Sequence, residues 1–188
     1  MARGLSNVIG FDDGTFQKTG PGQVRLVGAV FARTRLDGVV SGFVRRDGAN
    51  STARMIELVQ HSQFVEHVQA VLLQGIAVAG FNVVDVHALA AALNVPVLVL
   101  MRRRPRLSSM RAALINHIPG AARKWKLIEA AGPVEPLGQI FCQRAGLSHG
   151  EAQALVDATT LHGNLPEALR VAHLIAGGVT TGKSRGRA

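Results

Sequence analysis

The sequence predicts an α/β fold: a mixed five-stranded sheet of three antiparallel strands followed by strand-helix-strand units, with additional C-terminal helices. Three observations carry this expectation. Apolar runs of strand length recur through the first hundred residues, separated by Asp-Gly pairs and then by helix-period segments. The run VPVLVLM at residues 95–101 is continuously apolar, as in a strand covered on both faces. The last forty or so residues repeat the Ser/Asn-x-x-Glu pattern that opens helices.

Taken in order, residues 7–11 form strand one and Asp13-Gly14 makes a turn. Residues 18–22 are a loop, and VRLVGAVFAR at 24–33 is strand two. Asp37-Gly38 opens strand three, residues 39–46, and Asp47-Gly48 closes it. Strands joined this closely pair antiparallel, because a parallel return needs a long crossover. Ser51 or Thr52 caps a helix to about Ser62, with Met55, Ile56 and Val59 at helical spacing. Strand four covers 68–73 and ends on Gln74, and residues 76–82 form an apolar loop. Asn82 caps a helix over 83–93 that Asn94 stops. After strand five, helices are expected over 107–117 and 123–130, and an edge strand over 134–142. Ser148 with Glu151 opens one C-terminal helix that Gly163 ends, and Asn164 with Glu167 opens the last. Leu169, Ala172, His173 and Ala176 share a face of it. The order of elements is that of the ribonuclease H-like fold, in which strands one and four are neighbours. Residues 1–179 read as one domain and 180–188 as a basic tail.

A length of 188 residues and 47% hydrophobic content fit one globular core. No apolar run reaches the ~20 residues of a membrane span, and the N-terminus has no signal-peptide core. A single cysteine, Cys142, excludes an internal disulfide and fits a cytoplasmic location. The net charge of +9, from 21 Lys and Arg against 12 Asp and Glu, makes a polyanion partner the expectation. Aromatic content of 4%, with no Tyr, argues against a base-stacking platform.

Polar groups stand at two strand ends. VIGFDDGTF, residues 8–16, ends a strand on Asp12 and Asp13, and VLLQGIAVAGFNVVD, residues 71–85, ends another on Gln74. Such positions hold sites in open α/β sheets. Asp13 suits the turn, whereas Asp12 continues the strand and is the better ligand for a divalent cation such as magnesium. Gln74 offers a neutral amide oxygen. Asp85 is a third candidate ligand, or serves only the start of its helix. Arg170 and His173, three apart on one helix, suit phosphate contact and proton transfer, or packing alone. The basic groups Arg102, Arg103 and Arg104 follow strand five. GGVTTGKS at 177–184 matches the phosphate-loop formula, but a helix precedes it and the chain stops four residues later, so it is read as a chance match.

IGFDDGTF, VGAVF, LDGVVS, LLQGIAVAGFNVVD, PVLVLMRRRP and NLPEALRVAHLIAGGV together resemble the deoxyuridine endonuclease family (endonuclease dU), distant relatives of endonuclease V. The resemblance spans nearly the whole chain, and GFNVVD and PEALRVAH are its most specific parts. It implies a ribonuclease H-like fold and DNA repair by magnesium- or manganese-dependent nicking near deaminated bases, deoxyuridine or hypoxanthine. Asp12, Gln74 and His173 then stand at the catalytic positions, and Asp12, Gln74 and Asp85 at the metal. Nucleic acid, DNA with RNA as the alternative, is expected to meet Arg102, Arg103, Arg104, Arg170, Phe81 and Asn82. Two expected carboxylates are amides here, Asn50 and Gln74. Fewer charges weaken divalent binding, so the rival expectation is an impaired family member that still binds nucleic acid.

Overall fold

A computed structural model describes residues 5–16 and 22–184. Its main sheet contains β1 (Asn7–Asp13), β2 (Gln23–Ala32), β3 (Arg35–Arg45), β4 (Ala70–Gln74), β7 (Val97–Met101), β8 (Glu135–Leu137) and β9 (Ile140–Ala145). A separate hairpin pairs β5 (Ala77–Val78) with β6 (Asn82–Val83). The six helices among the described residues are α1 (Ser51–Gln60), α2 (Val86–Leu93), α3 (Leu107–His117), α4 (Ala121–Ala130), α5 (His149–Thr159) and α6 (Glu167–Thr181).

The sheet order is β3-β2-β1-β4-β7-β9-β8. The first three strands form the expected antiparallel meander. β1, β4 and β7 run parallel, so β1 and β4 are neighbours as expected. The sheet has seven strands where the sequence suggested five. The difference lies in residues 134–145, which turn at Gly138 and form a hairpin instead of one edge strand. β9 pairs antiparallel with β7.

Alternation along the central strands divides the core. Ile9, Phe11, Val71, Leu73, Val97 and Val99 face α1, α2, α3 and α4. Val8, Leu72, Leu98 and Leu100 face α5 and α6. β7 is therefore buried on both faces, as its unbroken apolar run required. Among the described residues no helix is long and apolar enough to cross a membrane.

Several local expectations change. Residues 76–82 are not a plain loop but contain the β5-β6 hairpin, whose two-residue strands are too short for alternation to reveal. Asn50, not Ser51 or Thr52, stands at the N-cap of α1. Asp85, not Asn82, caps α2 by accepting from the Ala88 N–H at 2.9 Å, and the helix starts at Val86. The Ser148–Glu151 capping box is present, but Asn164 and Glu167 do not form a second one. Glu167 instead lies buried against Arg170. α6 runs through Thr181, so the basic tail begins later than expected, and its Arg185 and Arg187 lie outside the described residues. So does most of the loop expected over 18–22.

Candidate functional site

The site begins with a glycine. A Cβ on Gly10 would stand 2.6 Å from the Ala168 backbone carbon and 2.8 Å from the Leu169 nitrogen. Only a residue without a side chain lets α6 lie this close to β1. Two residues on, Asp12 points to the same face of the strand. There its Oδ2 meets His173 Nδ1 on α6 at 2.7 Å. The face shared by Leu169, Ala172 and Ala176 is fully buried, which fixes the helix rotation that aims His173 at the strand end.

Asp12 is buried, and its Oδ1 accepts the Asp13 N–H at 2.9 Å. Burial raises its pKa above the usual carboxylate range, against the pull of the Asp13 N–H and of His173. Asp13 turns its Oδ2 to the Ala79 N–H at 2.9 Å. Burial first, and the neighbouring Asp12 charge second, push its pKa up to about 6. Two adjacent carboxyls thus resist ionising together, which favours a cation or a proton beside them. Asp13 and His173 line a cavity of about 340 Å³ with Lys183, Thr15, Gly177 and Thr181. The phosphate-loop look-alike is thus the end of α6 and the turn after it, with no strand before it.

Gln74 follows Leu73, which pairs with Phe11, so Gln74 and Asp12 continue neighbouring parallel strands in register. Its Oε1 is buried and finds no hydrogen-bond donor among the described residues. A buried acceptor without a partner is costly. An orphaned amide oxygen and a carboxylate at adjacent strand ends suit a hard cation that keeps most of its waters. Among the described residues, however, no group of three or more His, Cys, Asp or Glu is placed to hold a metal ion. At the two strand ends Asp12 and Gln74 thus offer one carboxylate and one neutral amide oxygen as donors.

Other expected residues lie elsewhere. Asp85 caps α2 and lines a different cavity together with Asp47 and Lys124, so it is a capping residue and not a partner of Asp12. Asn82 is fully buried: its Nδ2 donates to Arg45 O and Asn50 Oδ1, and its Oδ1 accepts the Ser51 N–H. It fastens the hairpin to the start of α1 and is not exposed to nucleic acid. Asn50 belongs to the same network. Phe81 is half-buried, and its N–H donates to Asp47 Oδ1 at 2.8 Å. Arg170 commits Nε and Nη2 to the buried Glu167 at 2.9 and 2.6 Å. Arg102, Arg103 and Arg104 are exposed after β7. Since β1, β4 and β7 are parallel, this cluster lies at the sheet end that carries Asp12 and Gln74.

Two residues escaped the sequence reading. Glu167 looked like a cap and is a buried ion-pair partner. Lys124 was not singled out and is 5% exposed. Its spacing of four from the buried Ile128 is the signal that was available.

Comparison with known proteins places this geometry. The sequence profile described as endonuclease dU matches residues 5–180. A UPF0215 protein of Deinococcus radiodurans is 54% identical over 183 residues, covering 97% of this chain and 93% of the relative. The crystal structure of a protein of unknown function from Archaeoglobus fulgidus superposes with a TM-score of 0.88 at 31% identity, covering 94% and 99% of the two chains. Ciona intestinalis endonuclease V, in complex with a 24mer DNA containing an inosine followed by a ribo-adenosine, is similar at TM-score 0.57 and 12% identity, over 89% of this chain and 83% of that one. That last likeness is one of fold. With its profile match and its close relatives covering almost its whole length, the chain belongs to the endonuclease dU family.

Proposed function

We propose that the chain is a metal-dependent endonuclease of ribonuclease H-like architecture. Its substrate is DNA carrying a deaminated base, deoxyuridine or hypoxanthine, and its reaction is a repair nick beside that base. The observation that carries this reading is the Asp12–His173 pair at the end of β1, beside the orphaned Gln74 oxygen at the end of β4. The family match and the fold likeness to endonuclease V support it. Asp12 and Gln74 would hold magnesium or manganese, which when bound supplies charge stabilisation at the phosphate and a low-pKa water. His173 keeps the Asp12 carboxylate in place through Nδ1. At 33% side-chain exposure its other ring nitrogen is open for a proton on the reacting oxygens. Asp13 is held off the scissile position by the Ala79 N–H and sets the local negative charge. Arg102, Arg103 and Arg104 would track the backbone of the bound strand, with Phe81 near the base.

One observation favours a second reading, an impaired member that binds nucleic acid without cutting it: beside Asp12, the end of β4 carries an amide, Gln74, and not a carboxylate. Incubating the protein with uracil-, hypoxanthine- and undamaged-base duplexes, with magnesium or manganese, separates the two. Lesion-dependent nicking supports the endonuclease. Salt-sensitive binding with no nicking in either metal supports the binding protein.

A further inference from the structure

On the opposite face of the sheet from His173 lies a larger cavity, of about 550 Å³, between α1, α2 and α4. That is the size of a small-molecule site. Its walls include Ile56, Val83 and Leu127, and Lys124 and Arg123 stand at its α4 side. Lys124 is the unusual group. It is 5% exposed, its Nζ donates to the Asp47 carbonyl, and among the described residues it has no carboxylate within ion-pair distance. Withdrawing an ammonium from water is unfavourable unless an anion compensates it. Burial already lowers its pKa, with Asp47 only partly opposing. Independently, α4 opens here on Gly120 with no side-chain cap and no acidic residue in its first turn. The first turn of α4 thus has no side-chain acceptor for its partial positive charge, and Gly120, Arg123 and Lys124 of that turn line the cavity.

The acidic residues of the cavity are already engaged. Asp47 takes the Phe81 N–H and Arg46, and Asp85 takes the Ala88 N–H of α2. What remains is an anion-seeking end joined to an apolar chamber. We infer that this cavity binds a small organic phosphate of mononucleotide size, its phosphate on Lys124, Arg123 and the α4 N-terminus and its apolar body between Ile56 and Leu127. The phosphate is that of a free nucleotide or of the 5′-terminal residue of a nucleic-acid strand; the chemistry recognised is the same. This site is separate from Asp12 and does not depend on the nuclease reading.

The test is calorimetric titration of the full chain with UMP, uridine and inorganic phosphate, in chelator at low salt. Saturable UMP binding is expected, with uridine weaker by on the order of tenfold or more. Lys124→Met, of similar length but uncharged, should weaken UMP by about tenfold. Ala88→Trp sits on the exposed lip of the cavity and fills it without touching the core, so it should remove binding even if the lysine variant folds poorly. Replacing Arg102, Arg103 and Arg104 by Ala should leave UMP affinity unchanged. A 5′-phosphorylated oligonucleotide that competes better than its 5′-hydroxyl twin identifies a strand end as the source, and equal competition identifies the free nucleotide. The inference is overturned if UMP does not bind saturably, if Lys124→Met and Ala88→Trp bind it as the parent does, or if binding follows the arginine cluster instead.

Discussion

Asp13→Asn isolates one consequence of placing two carboxyls side by side. The Asp13 pKa is raised from 3.8 to about 6, by burial first and the Asp12 charge second. A carboxyl whose folded pKa lies above its unfolded value is held more tightly as the acid in the native state. Its contribution is therefore most favourable below about pH 4, declines as the pH rises, and reaches its full cost above about pH 6. At about 1.36 kcal/mol per unit, the step from 3.8 to about 6 costs about 3 kcal/mol at neutral pH. Asparagine keeps an oxygen for the Ala79 N–H and removes the charge. The variant should be more stable than the parent by up to about 3 kcal/mol at pH 7.5, and equal to it near pH 4. Urea unfolding across that range, in chelator so that no cation offsets the charge, measures the difference. A variant less stable at pH 7.5, or an offset that does not change with pH, would refute the reasoning.

Three further outcomes follow from the geometry. Gly10→Ala should destabilise the fold by at least about 2 kcal/mol in urea unfolding, because its methyl group meets the α6 backbone and not a movable side chain. Any folded fraction should also lose nicking as His173 is pushed from Asp12. Replacing Arg102, Arg103 and Arg104 by Ala should weaken binding to damaged and undamaged duplexes alike and flatten the log–log salt dependence by up to about 2.7; an unchanged slope would make the cluster bystander charge. Gln74→Asp returns a carboxylate beside Asp12, so magnesium should stabilise it by up to about 2.7 kcal/mol at a hundredfold excess over Kd and raise its melting temperature. A variant that melts identically with and without magnesium would remove the end of β4 from the metal site.

The parts of this site that lie on strands were legible because strands announce themselves. The apolar runs ending at Asp12 and Gln74 located both positions, and the element order made them neighbours. What joins His173 to Asp12 was less visible: the helix face could be read, but the depth to which it sits depends on Gly10, whose role appears only once the α6 backbone lies against it. Asn82 and Asp85 are both capping types three residues apart, and the choice between them rests on where the β5-β6 hairpin ends. Asn82, lost as a cap, becomes the buried clasp between Arg45, Asn50 and Ser51. Lys124 was not singled out; it stands in a basic stretch with Arg123 and Lys126. The hairpin of residues 135–145 was compressed into one strand because Gly138 is a turn within an otherwise strand-like run.

The central claim is that Asp12 holds the metal for phosphodiester cleavage and His173 assists it. Single-turnover nicking of a uracil-containing duplex in manganese, by the parent chain and by Asp12→Asn, tests it most directly. Asparagine keeps the side-chain shape and an oxygen for the Asp13 N–H, but removes the charge that would hold the cation. The account predicts nicking by the parent and a rate lower by about a thousandfold or more in the variant, with duplex affinity within about twofold of the parent. Nicking by Asp12→Asn at the parental rate would contradict it.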